Sequence, residues 1–156
     1  MPEKATATSE HQLTIALNAL FEKFDKDWAR FAVCFGLSTT ELDIMWFMAD
    51  SKDEPTQKQV SEQLGYSKQI VNIAVKTLMK KGFLALEESK EDRRHKIIRL
   101  TPEGSGLAHR IESASDKLDR RCIEALDAEE RKALLRGARK YVDAFAMGVD
   151  ELEKGV

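Results

Sequence analysis

The chain has 156 residues, 42% of them hydrophobic and 33% charged, with a formal net charge of -2, which is ordinary composition for one globular domain. It has no run of about 18 apolar residues to span a bilayer, and its start, MPEKATATSEHQ, lacks a basic segment followed by an apolar one; a cytoplasmic protein with no membrane partner is expected. Two cysteines and three histidines fall in no CxxC or HExxH spacing, and GxGxxG, GxxxxGKS/T and GxSxG are absent, so nothing points to an enzyme, a metal or a cofactor. Cys34 and Cys122 are expected to be buried thiols.

From about Ser9 to Phe35, Leu13, Leu17, Leu20, Phe24, Trp28, Phe31 and Phe35 recur at steps of three and four, which predicts a long helix with one apolar stripe. Ser38 to Glu41, STTE, is a capping box and opens a second helix to about Asp50, with Met45, Trp46 and Ala49 facing the core. SKDEP, residues 51 to 55, reads as a loop. Thr56 and Gln59 form another capping box, and Gly65 closes the short helix that they open. Ser67 can cap the next helix, KQIVNIAVKTLMKK, which ends at Gly82.

Helix, short glycine turn, helix is the pattern of a DNA-binding helix-turn-helix, and equally of a plain helical hairpin. In the second helix Val71, Ala74, Val75, Leu78 and Met79 form the apolar stripe, while Lys68, Gln69, Asn72 and Lys76 point elsewhere. Amides can pair with an adenine edge and lysine can reach guanine or phosphate. The same residues would also make an ordinary solvated face.

FLALEE, residues 83 to 88, and KIIRLT, residues 96 to 101, are short apolar runs joined by a charged seven-residue link, which predicts a β-hairpin. A hairpin after such a helix makes a wing, and guanidinium groups at its tip suit the narrow minor groove. Between Tyr66 and Leu100 nine cations face four anions, so this segment carries +5 and the remainder -7. That asymmetry fits one surface meeting a polyanion.

EDRRHKIIRLTPEG resembles the wing of the MarR (multiple antibiotic resistance regulator) family, with Asp92, Arg94, Lys96, Leu100, Thr101 and Gly104 filling its pattern. LSTTELDIMWFMA and TQKQVSEQLGYSKQIVNIAVKTLMKKGFL extend the match over roughly residues 37 to 107. The resemblance implies a mainly α fold with a small β-hairpin wing. It implies one domain over 1–156, with the winged helix-turn-helix at 37–101 between dimerisation helices at 9–36 and 102–154. By the same resemblance Arg94 enters the minor groove, Asp92 supports the wing, and Arg93 and Lys96 contact phosphate. Ser67, Lys68, Gln69, Asn72 and Lys76 complete the expected DNA-binding set.

After the wing, Thr101 can cap a helix with Pro102 at its first position, and Leu107, Ile111, Ala114, Leu118 and Cys122 form its stripe. Asp127 to Glu130 caps a last helix, along which Leu134, Ala138, Tyr141, Phe145, Val149 and Leu152 are spaced by three and four. A winged helix of about seventy residues cannot cover stripes at both ends of the chain, so a homodimer is expected; terminal helices folded back on their own core are the other solution.

The resemblance further implies a repressor on a palindromic operator in double-stranded DNA, released by a small-molecule effector. Trp28, Phe31, Trp46 and His109 are candidates for the effector's pocket, although aromatics at helical spacing also serve simply as core. Cys34 sits at the wrong end of the first helix to match the reactive cysteine of peroxide-sensing relatives. The alternative function is a winged-helix interaction module whose basic surface binds an acidic partner.

Overall fold

The computed structural model describes residues 10–51, 54–88 and 96–155. Its elements are α1 (Glu10–Val33), α2 (Thr39–Asp50), α3 (Gln57–Leu64), α4 (Lys68–Lys80), β1 (Leu84–Glu88), β2 (Lys96–Leu100), α5 (Pro102–Glu124) and α6 (Ala128–Gly155). All follow the expected order. The strands pair antiparallel, Leu84 opposite Leu100 and Glu88 opposite Lys96. The chain divides after Glu112 into two compact units.

Local chemistry sets the helix ends. Ser38 accepts from the Glu41 amide while the Glu41 carboxylate accepts from the Ser38 amide, and Thr56 with Gln59 repeats the arrangement at α3. Each box satisfies two amides that lack helical partners. Gly65 ends α3 at φ 70°, a left-handed conformation that a Cβ penalises. Ser67 then caps α4 by accepting from the Ile70 amide at 3.3 Å. At α6, the Asp127 carboxylate accepts from the amides of Glu129 and Glu130, and Glu130 returns a bond to the Asp127 amide.

The core of the first unit joins Leu42, Ile44, Met45 and Met48 of α2, Val60 of α3, Val71, Val75 and Leu78 of α4, Ile98 of β2 and Leu107 and Ile111 of α5. Burying each such side chain stabilises the fold by about 1.5–3 kcal/mol. Trp28, Phe31 and Phe35 of α1 pack against this cluster. The stretch read as a loop before α3 also contributes, since Pro55 O accepts from the Ile98 amide at 2.8 Å and Thr56 bridges Ile97. β2 thus has a neighbour on each side.

Two expectations are corrected. Trp46 does not face the core but is 47% exposed: the buried stripe of α2 centres on Met45 with Leu42 and Met48 three residues either side, and Trp46 lies about 100° further round. Cys34 and Cys122 are not buried but exposed. Cys34 stands in the turn that ends α1, where its thiol donates to Arg30 O. Cys122 lies on the part of α5 beyond Ile111, the last α5 residue in the core cluster.

One carboxylate holds the helix-turn-helix turn. Asp43 of α2 accepts from Trp28 Nε1 of α1 at 2.8 Å and from the Tyr66 hydroxyl. Tyr66 stands between Gly65 and Ser67, and its carbonyl accepts from Ser61 Oγ at 2.6 Å. Burial first, and then the Asp43 carboxylate, raise the pKa of the Tyr66 phenol above its ordinary value.

A second lock lies where the hairpin meets α5. Thr101 Oγ1 donates to Gly82 O at 2.6 Å and accepts from the Gly104 amide at 3.0 Å, while the Thr101 amide donates to Phe83 O. This folds the start of α5 against the Gly82–Phe83 backbone. A Cβ on Gly104 would stand 1.9 Å from Phe83 O, so only glycine fits.

Two stability predictions follow from these contacts. Alanine is normally the better helix former by about 1 kcal/mol, yet Gly104→Ala should destabilise by about 1–3 kcal/mol through overpacking, read as a lower urea midpoint. Because the folded state binds the Tyr66 proton more tightly, the corresponding stability is present below about pH 10 and is lost as pH rises through the folded pKa. A Tyr66→Phe variant should lack that part of the alkaline loss when urea midpoints are compared from pH 8 to 11.

Candidate nucleic-acid interface

α4 is anchored through one face and free on the other. Val71, Ala74, Val75 and Leu78 are buried, against α2, α3 and β1. At 3.6 residues per turn the opposite stripe is Gln69, Ile73, Lys76 and Lys80, residues at i, i+4, i+7 and i+11. All four are exposed, as are Ser67 and Lys68 at the helix start. Asn72 is half-buried at the edge of the stripe. On the other edge, Ile70, Ile73 and Thr77 border a shallow groove against Ser38, Thr40 and Glu41 at the α2 start.

Cations of the basic segment have two different tasks. Lys81 Nζ lies 2.8 Å from Glu41 Oε2 and also donates to Gly36 O at 3.0 Å. Arg99 is 2.6 Å from Glu54 and 3.1 Å from Glu87, tying the segment before α3 to the hairpin. These two cations are paired with carboxylates of the same chain. Lys68, Lys76, Lys80 and Lys96 stand exposed, and Lys96 opposes Glu88 across the hairpin.

The expected wing residues Asp92, Arg93 and Arg94 lie outside the described residues. Of the candidate pocket residues, Trp28 and Phe31 are brought together, with ring centroids 5.4 Å apart, and both pack on the core. Trp46 is exposed, and the His109 side chain is 83% exposed with Nδ1 3.6 Å from Glu112. Among the described residues no group of three or more His, Cys, Asp or Glu is placed to hold a metal ion, and no helix is long and apolar enough to cross a membrane.

The sequence reading missed Ile73 and Lys80 as members of the outward stripe, although the helical period marks both. It also missed the Asp43 junction, whose partners lie 15 and 23 residues away and carry no motif.

Residues 35–95 match the MarR family model. The HTH-type transcriptional regulator YdgJ of Bacillus subtilis is 29% identical over 109 residues, which are 68% of this chain and 64% of that one. The chain therefore spans less than two thirds of this relative's length. A crystal structure of a MarR family transcription regulator superposes with a TM-score of 0.80 at 17% identity, covering 90% of this chain and 93% of the other. The S. aureus MepR–DNA complex gives 0.72 at 20% identity, covering 81% and 96%. At these identities the superpositions establish the shared fold, and the family match covers the segment that builds the outward stripe. Over residues 35–95 the chain is similar to the MarR family, whose winged helix-turn-helix fold it shares.

Proposed function

We propose that this chain is a dimeric, sequence-specific DNA-binding transcriptional regulator of the cytoplasm, not an enzyme. The observation that carries the reading is the outward stripe of α4, where an amide and two ammonium groups project from a helix whose other face is buried. A helix of this width enters the major groove of B-DNA, which is about 12 Å wide. Gln69 and Asn72 would read base edges, Lys76 guanine or phosphate, and Ser67, Lys68, Arg93 and Lys96 the backbone. Ser67 accepts the Ile70 amide, so its hydroxyl proton is left to donate to a phosphate. Arg94 in the minor groove and Asp92 as the support of the wing follow from the family pattern. The MepR structure supports the reading, since it is a DNA complex of the same fold.

The uncovered apolar faces support a homodimer. In the first unit Leu13, Leu20 and Phe24 of α1 are exposed; in the second α6 buries nothing, and Leu134, Phe145 and Leu152 are exposed. Rows of exposed apolar side chains along a helix mark interaction surfaces. A two-fold dimer reads a palindrome, with half-site centres about 10 base pairs apart. The family pattern extends the proposal to a repressor released by a small amphipathic effector, with Trp28, Phe31, Trp46 and His109 as the residues to examine for its pocket.

Selection of bound duplexes from a random pool, at fixed near-physiological salt because phosphate contacts make affinity salt-dependent, tests the function. The expected result is a palindrome with half-sites one helical turn apart. Recovery of no motif, with binding that vanishes as salt rises, would reject sequence-specific regulation and favour an acidic partner. On the selected site Asn72→Ala should cost about 1–3 kcal/mol and relax the preference at one position per half-site, while Arg94→Ala should weaken binding with the fold and dimer intact. In sedimentation, the protein should run at twice its 17.7 kDa chain mass, and Phe145→Glu should shift it toward the monomer.

A further inference from the structure

Ile73 stands out on the α4 stripe. It is 58% exposed beside the polar, exposed Gln69, Lys76 and Lys80, with Ile70, 44% exposed, on its other side. An exposed β-branched residue in mid-helix brings no local gain, because lysine, glutamate or alanine would form the helix better. Nor is it displaced core, since the buried face of α4 is filled by Val71, Ala74, Val75 and Leu78. Ile73 lies between Gln69 and Lys76 along the helix axis but about 40° and about 60° from them in the same rotational sense, at the edge of the stripe where it borders the groove with Ile70 and Thr77.

A surface that meets the major groove encounters one apolar group there, the C5 methyl of thymine. Hydrogen-bonding side chains gain nothing from that methyl, whereas an aliphatic side chain excludes water from it. Resting on the DNA-binding reading above, we infer that Ile73 is a specificity-determining residue that selects a thymine in each half-site by apolar contact with its C5 methyl, between the positions reached by Gln69 and Lys76. The ligand chemistry is thus a methylated pyrimidine edge flanked by hydrogen-bonding base edges. The contact discriminates thymine from cytosine and uracil without any donor or acceptor.

The test uses the full chain and the duplex recovered by selection. Each thymine is replaced in turn by deoxyuridine, which removes the methyl and leaves every hydrogen-bonding atom in place. The wild-type protein should lose affinity about fourfold at one thymine per half-site, the amount expected for one buried methyl-sized group. Ile73→Ala should bind the thymine duplex about fourfold more weakly per half-site and be indifferent to deoxyuridine at that position. Because the side chain is exposed, an unchanged urea midpoint should accompany the variant. A motif with no methyl-sensitive thymine, or one at which both proteins lose equally, overturns the inference and leaves the regulator reading standing. Failure to recover any motif overturns both.

Discussion

Burial of one face of α4 is the constraint on which the rest of the structure depends. Four aliphatic side chains of that helix meet α2, α3 and β1, and Val71, Val75 and Leu78 are each worth about 1.5–3 kcal/mol when removed from water, with the Ala74 methyl adding about 0.8 kcal/mol. Rotating the helix by one residue, about 100°, would expose much of that face and push lysines toward the core, so its orientation is effectively single-valued. The outward stripe is therefore a consequence of packing. Its residues contribute little to folding and are free to serve recognition.

Two carboxylates of α2 complete the frame around α4. Glu41 meets Lys81, just past the end of the helix, and Asp43 meets Tyr66, just before its N-cap. Glu41 is 5% exposed, and a carboxylate so placed would be costly without its partners. The Ser38 amide and Lys81 supply them. Trp28 extends the Asp43 junction to α1, so the turn that begins α4 is held from two helices. Lys81 and Arg99 illustrate why the charge of a segment is a poor guide to the charge it can offer a partner, since both are paired with carboxylates of the same chain.

The helices also reach beyond what they can cover. α1 packs through Trp28, Phe31 and Phe35 but leaves its earlier leucines and Phe24 in water, and α5 runs past its last core residue. A 24-residue helix spans about 36 Å, longer than one side of a small winged helix. In the second unit, Arg131 Nε donates to Ile123 O across the turn between α5 and α6, while no residue of α6 is buried. Apolar stripes of this length have no cover within their own units.

What the sequence determined by itself was local. The capping boxes at Ser38 and Thr56, the glycine that ends α3, Pro102 at the start of α5 and the two short apolar runs of the hairpin all involve neighbours within a few residues, and short-range hydrogen bonding and local composition decide them. The ordered series of those elements also made the family pattern legible. Tertiary structure decided everything that depends on which faces meet. It turned Trp46 outward and exposed both cysteines, it consumed Lys81 and Arg99 in ion pairs, it recruited Pro55 and Thr56 to β2, and it gathered Trp28, Asp43 and Tyr66 around one carboxylate. Gly104 shows the boundary between the two kinds of information. Its place in the motif is visible in the sequence, but the reason for it, a backbone oxygen 1.9 Å from where a Cβ would lie, exists only once Phe83 has been folded against it.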